Sequence, residues 1–222
     1  MSAHLEMQPI SATPLEPIKI QAKFFFEGDR KWFLKGVTYG PFKPNSDGDL
    51  TATPEQAKAD FSLMRELGVN LIRVYHVPPR WLLDLAAEAG IRVMISIPWT
   101  QHVEFLNQRA LRRQIIQTIR DAVAKHRGHP AIFAYLVGNE VPTTMVRWLG
   151  AGRVVEFLEK LIADLNSNLL AGRDTEPNLS RSAKRPAMYT ALRTGAIEKA
   201  VFVGGSHANN LAYAASALGL DA

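Results

Sequence analysis

The chain has 222 residues, no cysteine, a hydrophobic content of 47% and a formal net charge of +5. A chain of this size and apolar content can bury the core of a globular domain. The lack of cysteine excludes disulfides, thiolate metal ligands and cysteine nucleophiles, and is typical of a reducing compartment. Most basic residues are interspersed with acidic ones, which argues against nucleic acid as a partner.

The N-terminal segment has neither the pattern of a secretory signal nor that of a membrane anchor. The first twenty residues mix prolines with charged residues and contain no continuous apolar core. No later stretch has the roughly 18 uncharged apolar residues that a membrane span requires. We therefore expect a cytoplasmic chain without a membrane span, in which residues 1–23 form a tail or an edge segment.

A hairpin and four strand–helix units are predicted to follow. The hairpin comprises residues 24–34, with Gly28 and Asp29 in its turn, and is expected to cover the bottom of the units after it. Strands are predicted over 34–39, 69–74, 91–97 and 131–137, because these apolar runs are bounded by turn residues. Helices are predicted to begin at Thr53-Pro54, near Leu82, near Asn107 and near Val154. This alternation predicts a parallel α/β fold, either a (β/α)₈ barrel of the TIM type or an open doubly wound sheet.

Polar and aromatic residues lie at the C-terminal exit of each predicted strand, where α/β proteins place their chemistry. They are Tyr39 at the exit of the first strand, Arg73 and His76 at that of the second, Trp99 at that of the third, and Asn139 and Glu140 at that of the fourth. Glycosidic bonds are cleaved by carboxyl groups, while aromatic and amide side chains hold the sugar, so this set favours a sugar site. The alternative is that Asn139 and Glu140 only cap the next helix. No spacing typical of metal ligands is present, so neither metal nor cofactor is predicted.

Three segments carry a resemblance to a known family. Residues 33–42 (FLKGVTYGPF), 72–81 (IRVYHVPPRW) and 136–142 (LVGNEVP) resemble the catalytic barrels of glycoside hydrolase family 2 and its clan A relatives, most closely bacterial barrels fused to glycosyltransferases. The resemblance implies that Glu140 is the general acid/base and that Asn139 contacts the sugar 2-hydroxyl. It also implies that Arg73 orients the nucleophilic carboxylate, and that His76 and Trp99 line the pocket. The implied substrate is a β-linked oligosaccharide or glucan.

The resemblance ends near Ala163, and family members carry their nucleophilic Glu after the seventh strand. The sequence therefore predicts the N-terminal half of a glycosidase-like barrel over 24–165, a linker over 166–186 and a short βα segment over 187–222. Within this segment a short strand is expected over 200–203 and a helix over 208–218. Because no nucleophile is identified, two further hypotheses stay open: a non-catalytic carbohydrate-binding module, and a barrel fragment that another chain completes through an open sheet edge.

Overall fold

The computed structural model describes residues 15–21, 24–45, 48–139, 141–170 and 200–204. Eight strands and five helices lie in these ranges. The strands are β1 Ile18–Gln21, β2 Phe24–Glu27, β3 Arg30–Trp32, β4 Gly36–Thr38, β5 Leu71–Val74, β6 Arg92–Ser96, β7 Ile132–Asn139 and β8 Ala200–Gly204. The helices are α1 Pro54–Glu66, α2 Arg80–Glu88, α3 Arg109–His126, α4 Thr143–Leu149 and α5 Ala151–Leu170. The helix predicted over 208–218 lies outside the described residues.

Strands β4 to β8 form one parallel sheet in the order β4-β5-β6-β7-β8. The spatial order follows the sequence order, as repeated strand–helix units dictate. The parallel α/β arrangement expected from the sequence is therefore confirmed. The strand expected near residue 200 is also confirmed, and it pairs with β7 inside the same sheet.

The helices bury one face of this sheet. Alternate residues of β5 and β6, among them Ile72 and Ile95, are buried with side chains of the helices in a single cluster. The cluster members on the helices include Leu83 of α2, Ile119 of α3 and Leu161 of α5. We call this the helix face of the sheet. Each helix contributes a stripe of apolar residues because its sequence repeats them at helical spacing.

Helix α1 begins where its sequence predicts. The Thr53 hydroxyl accepts a hydrogen bond from the main-chain nitrogen of Gln56 at 3.2 Å, and Pro54 occupies the first helical turn. Gly68 follows the helix with a φ of 75°, a conformation that residues with a β-carbon rarely adopt. These local signals determine where the helix between β4 and β5 begins and ends.

The opposite, inner face of the sheet is covered at its N-terminal end by the three-stranded antiparallel sheet β1-β2-β3. The rings of Phe25 and Trp32 each lie 5.3 Å from the ring of Phe133 at the start of β7. Arg92 donates to the Glu27 carboxylate at 2.5 Å and to the main-chain oxygen of Glu16. The hairpin therefore closes the bottom of the sheet, as the sequence predicts.

Two boundaries differ from the sequence predictions. Helix α4 was not expected, because its seven residues are too few to show a helical repeat. Helix α5 extends to Leu170, five residues into the predicted linker, since Leu161, Leu165 and Leu169 continue its four-residue spacing. The predicted linker residues 171–186 lie outside the described residues. No helix in the described ranges is long and apolar enough to cross a membrane.

Candidate active site

Arg73 joins the C-terminal ends of three neighbouring strands on the inner face. Its Nε atom donates to the Ser96 hydroxyl at the end of β6, over 3.1 Å. Its Nη2 atom donates to Oδ1 of Asn139 at the end of β7. Arg73 stands beside Met94 in the ladder, so Ser96, two residues further along β6, points to the same face. The sheet therefore brings Arg73 and Asn139 together, as the spacing of strand ends suggests.

The guanidinium of Arg73 is held on a further side by an aromatic ring. Its central carbon lies 4.5 Å from the centre of the Tyr75 ring, which is within cation–π range. Within the described ranges, no carboxylate forms an ion pair with Arg73. Arg73 thus presents a positive charge at the C-terminal edge of the sheet, held in place by neutral groups.

The main chain of Asn139 is fixed by Gln101 from the loop after β6. Oε1 of Gln101 accepts a hydrogen bond from the Asn139 main-chain nitrogen at 3.0 Å. Gln101 is only 8% exposed, so this contact is made in a largely water-free environment. Asn139 is therefore held twice, through its side chain by Arg73 and through its main chain by Gln101.

Trp99 lies beside the same strand end. Its indole Nε1 donates to the main-chain oxygen of Val137 at 2.6 Å. Edge-to-face contacts with Phe105, at 5.1 Å between ring centres, and with Phe157 of α5, at 6.2 Å, fix the plane of the ring. Val137 is where β7 shifts register against β8, and the indole supports the strand at this irregular point. The structure therefore places Trp99 next to the end of β7.

His76 lies two residues beyond the end of β5. Among the described residues neither ring nitrogen has a hydrogen-bond partner, and both nitrogens are enclosed. Burial lowers the pKa of His76, and Lys125 adds to this effect, while Asp49 opposes it. This environment therefore favours the neutral form of the ring. Its role in lining the pocket stays a prediction, since no contact joins it to Arg73 or Asn139.

Tyr39 lies on the other side of the sheet. Its hydroxyl donates to the Asp60 carboxylate of α1 at 2.8 Å, and its ring packs 5.3 Å from that of Phe61. Burial, together with Asp60, raises the pKa of Tyr39 well above its ordinary value. The structure does not bring Tyr39 together with the other candidate residues, because it follows Thr38, the residue that shares a face with Arg73. Its position favours a structural role over the expected contact with sugar.

Glu140, the candidate acid/base, lies outside the described residues. It follows Asn139 directly in the sequence. Two supporting residues, Ser96 and Gln101, were not among the sequence candidates. Ser96 could have been found as a polar residue near the end of the predicted third strand, whereas nothing in the sequence pairs Gln101 with Asn139. Within the described part of the chain, no three His, Cys, Asp or Glu residues cluster as metal ligands.

Comparisons with known proteins identify relatives of this sheet and its strand ends. Over 133 residues the chain is 28% identical to the 1,3-beta-glucanosyltransferase gel1 of Aspergillus fumigatus, covering 56% of this chain and 29% of that protein. It is 26% identical over 147 residues to the 1,3-beta-glucanosyltransferase gas4 of Schizosaccharomyces pombe, covering 61% of this chain and 32% of that protein. The chain therefore spans less than a third of the length of these relatives.

Solved structures show the same fold. The β-glucuronidase of Parabacteroides merdae superimposes with a TM-score of 0.56 at 22% identity, covering 68% of this chain and 19% of that chain. The fold class expected from the sequence, α/β of the TIM-barrel type, is confirmed, and the five parallel strands form part of such a barrel. Residues 8–164 match the glycoside hydrolase family 72 model, described as glucanosyltransferase. Since this match covers well over half of the sequence, the chain belongs to the glucanosyltransferase family of the clan A glycoside hydrolases.

Proposed function

We propose that this chain binds a β-1,3-linked glucan at the C-terminal edge of β5, β6 and β7, and that Glu140 is the acid/base of its processing. The observation that carries the proposal is the contact of Arg73 with Asn139 immediately before Glu140. Arg73 holds the side-chain amide of Asn139 and Gln101 holds its main-chain nitrogen, which leaves the side-chain NH₂ group available to a sugar hydroxyl. The curated relatives named 1,3-beta-glucanosyltransferases support a β-1,3-linked substrate.

In this proposal Glu140 protonates the oxygen of the leaving sugar as the glycosidic bond breaks. Retention of configuration requires a second carboxylate about 5–5.5 Å away, which attacks the anomeric carbon. Among the described carboxylates, Asp60 is engaged by Tyr39, and Glu104 accepts from the main-chain nitrogens of Leu106 and Asn107. We propose that the nucleophile comes from outside the described residues, and that Arg73 orients it.

The second candidate function is carbohydrate binding without turnover. The absence of a carboxylate on Arg73 within the described ranges favours it, because binding needs only the anchored amide, the aromatic ring and the arginine. A kinship with family 2 barrels fused to glycosyltransferases stays a prediction. A cytoplasmic location and self-association through the outer edges of the sheet also stay predictions.

Calorimetry and product analysis test the proposal with a linear β-1,3-glucan hexasaccharide and an α-1,4-linked hexasaccharide as control. We expect the parent chain to bind the β-1,3 compound, with little response to the α-1,4 compound. If the chain turns the sugar over, Glu140→Gln should lower the rate by about 10²-fold or more and retain affinity, since general acid catalysis supplies about 10²–10⁴-fold.

The outcomes separate the two functions. Turnover that is lost in Glu140→Gln supports the glycosidase or transferase, whereas binding without turnover supports the carbohydrate-binding module. A chain that binds neither sugar at millimolar concentration would contradict both functions. Turnover by Glu140→Gln at the parent rate would contradict the role of Glu140.

A further inference from the structure

Gln101 is a buried residue whose side-chain oxygen has a hydrogen-bond partner in Asn139, while its NH₂ group is not used in that contact. A glutamine side chain has an oxygen that accepts and an NH₂ group that donates twice. Burying such an amide is costly unless its polar atoms find partners. At 8% exposure, Gln101 satisfies its oxygen with the main-chain nitrogen of Asn139. The NH₂ group has to be accounted for separately.

The orientation of the amide follows from chemistry. The main-chain nitrogen of Asn139 can only donate, so the atom of Gln101 that faces it is the oxygen. The NH₂ group therefore points the other way. Within the described part of the chain no atom accepts a hydrogen bond from this group. The donor therefore lies next to Asn139, at the C-terminal end of β7, with no acceptor among the described residues.

We infer that Gln101 is a further substrate-binding residue, which fixes the main chain of Asn139 through its oxygen and offers its NH₂ group to a hydroxyl of the glucan. The inference rests on the proposed function and adds a donor that the sequence candidates lack. A sugar hydroxyl is a suitable acceptor because its oxygen has lone pairs that an amide N–H can reach directly or through a bridging water. The anchored oxygen keeps the donor in one orientation before the sugar arrives.

Two substitutions of similar size separate the two roles. Gln101→Glu retains an acceptor for the Asn139 main-chain nitrogen but replaces the donor with a second oxygen. Gln101→Met removes both. Gln117→Met is the control, since Gln117 is exposed on α3 and donates to Asp121 of the same helix. Circular dichroism establishes that each variant is folded.

Hydrogen exchange of the Asn139 amide, read by NMR, reports on the anchor without any sugar. We expect slow exchange in the parent and in Gln101→Glu, and exchange about tenfold faster in Gln101→Met, since one hydrogen bond is lost. Equal exchange rates in the parent and in Gln101→Met would overturn the positioning role. Gln117→Met should leave the rate unchanged.

Calorimetry with the β-1,3-glucan hexasaccharide reports on the donor. Both Gln101 variants should bind about five- to tenfold more weakly than the parent, in line with one lost hydrogen bond. Gln101→Glu that binds as tightly as the parent would overturn the sugar contact. A parent chain that does not bind the hexasaccharide would overturn this contact together with the proposed function, whereas the exchange rates would still decide the positioning role.

Discussion

Replacing Arg73 with Met is expected to weaken binding of the β-1,3-glucan hexasaccharide by about tenfold to a hundredfold. Methionine has a similar length but no donor, so the Ser96 hydroxyl and the Asn139 amide both lose their partner. A hydrogen bond from a charged group contributes about 1.5–3 kcal/mol, and the loss of the one bond to Asn139 corresponds to this range of affinity. The loss acts on the sugar through Asn139, whose side chain is no longer held.

Two variants make this measurement specific. Arg73→Lys keeps the charge but cannot contact Ser96 and Asn139 simultaneously through a rigid fork, so an intermediate loss is expected. Arg65→Met removes an exposed arginine from the last turn of α1 and should leave affinity unchanged. Calorimetry gives all four affinities under one condition. Parent-like binding by Arg73→Met would show that the Arg73–Asn139 contact does not organise the sugar site.

Replacing Phe133 with Ala is expected to lower the free energy of unfolding by about 3–5 kcal/mol, the usual cost of removing a buried aromatic ring. Phe133 is 4% exposed and contacts the rings of Phe25 and Trp32. Its removal leaves a cavity between the hairpin and the inner face of the sheet. Urea unfolding, analysed with the slope as well as the midpoint, measures the change.

The matched control lies on the same hairpin. Phe24 is 39% exposed, and the ammonium of Lys31 lies 4.1 Å from its ring centre. Phe24→Ala should therefore cost only about 0.5–1 kcal/mol, the value of an exposed cation–π contact. Equal, small losses in both variants would indicate that the hairpin does not cover the sheet in solution.

The order of strands and helices could be predicted because local chemistry determines it. Thr53 and Pro54 start α1, Gly68 follows it, and continuous apolar runs mark the strands that the sheet buries on both faces. Helix α4 has no comparable signal. Its boundaries depend on the packing of Met145 and Leu149 against the core, and sequence spacing does not reveal such packing.

For the candidate site, the sequence predicts which residues lie at the strand ends but not which of their side chains contact one another. Arg73 and Asn139 meet because they share the inner face, whereas Tyr39 points to the helix face and contacts Asp60. That difference depends on the register of β4 against β5, in which Thr38 stands beside Arg73. Register is set by contacts between residues far apart in the sequence. For the same reason, the contact between Gln101 and Asn139 follows only from the three-dimensional arrangement.

The most direct test of a sugar site at the ends of β5, β6 and β7 is an NMR titration of the indole N–H signals with the β-1,3-glucan hexasaccharide. The chain has four tryptophans, and individual Trp→Phe variants assign them. We expect the Trp99 signal to shift and saturate, because its N–H is bonded to Val137 beside Asn139. The Trp32 signal should stay unchanged, since Trp32 packs on Phe133 at the opposite end of the sheet. A saturating shift of Trp32, or of the exposed Trp148, with Trp99 unchanged would contradict the location of the site.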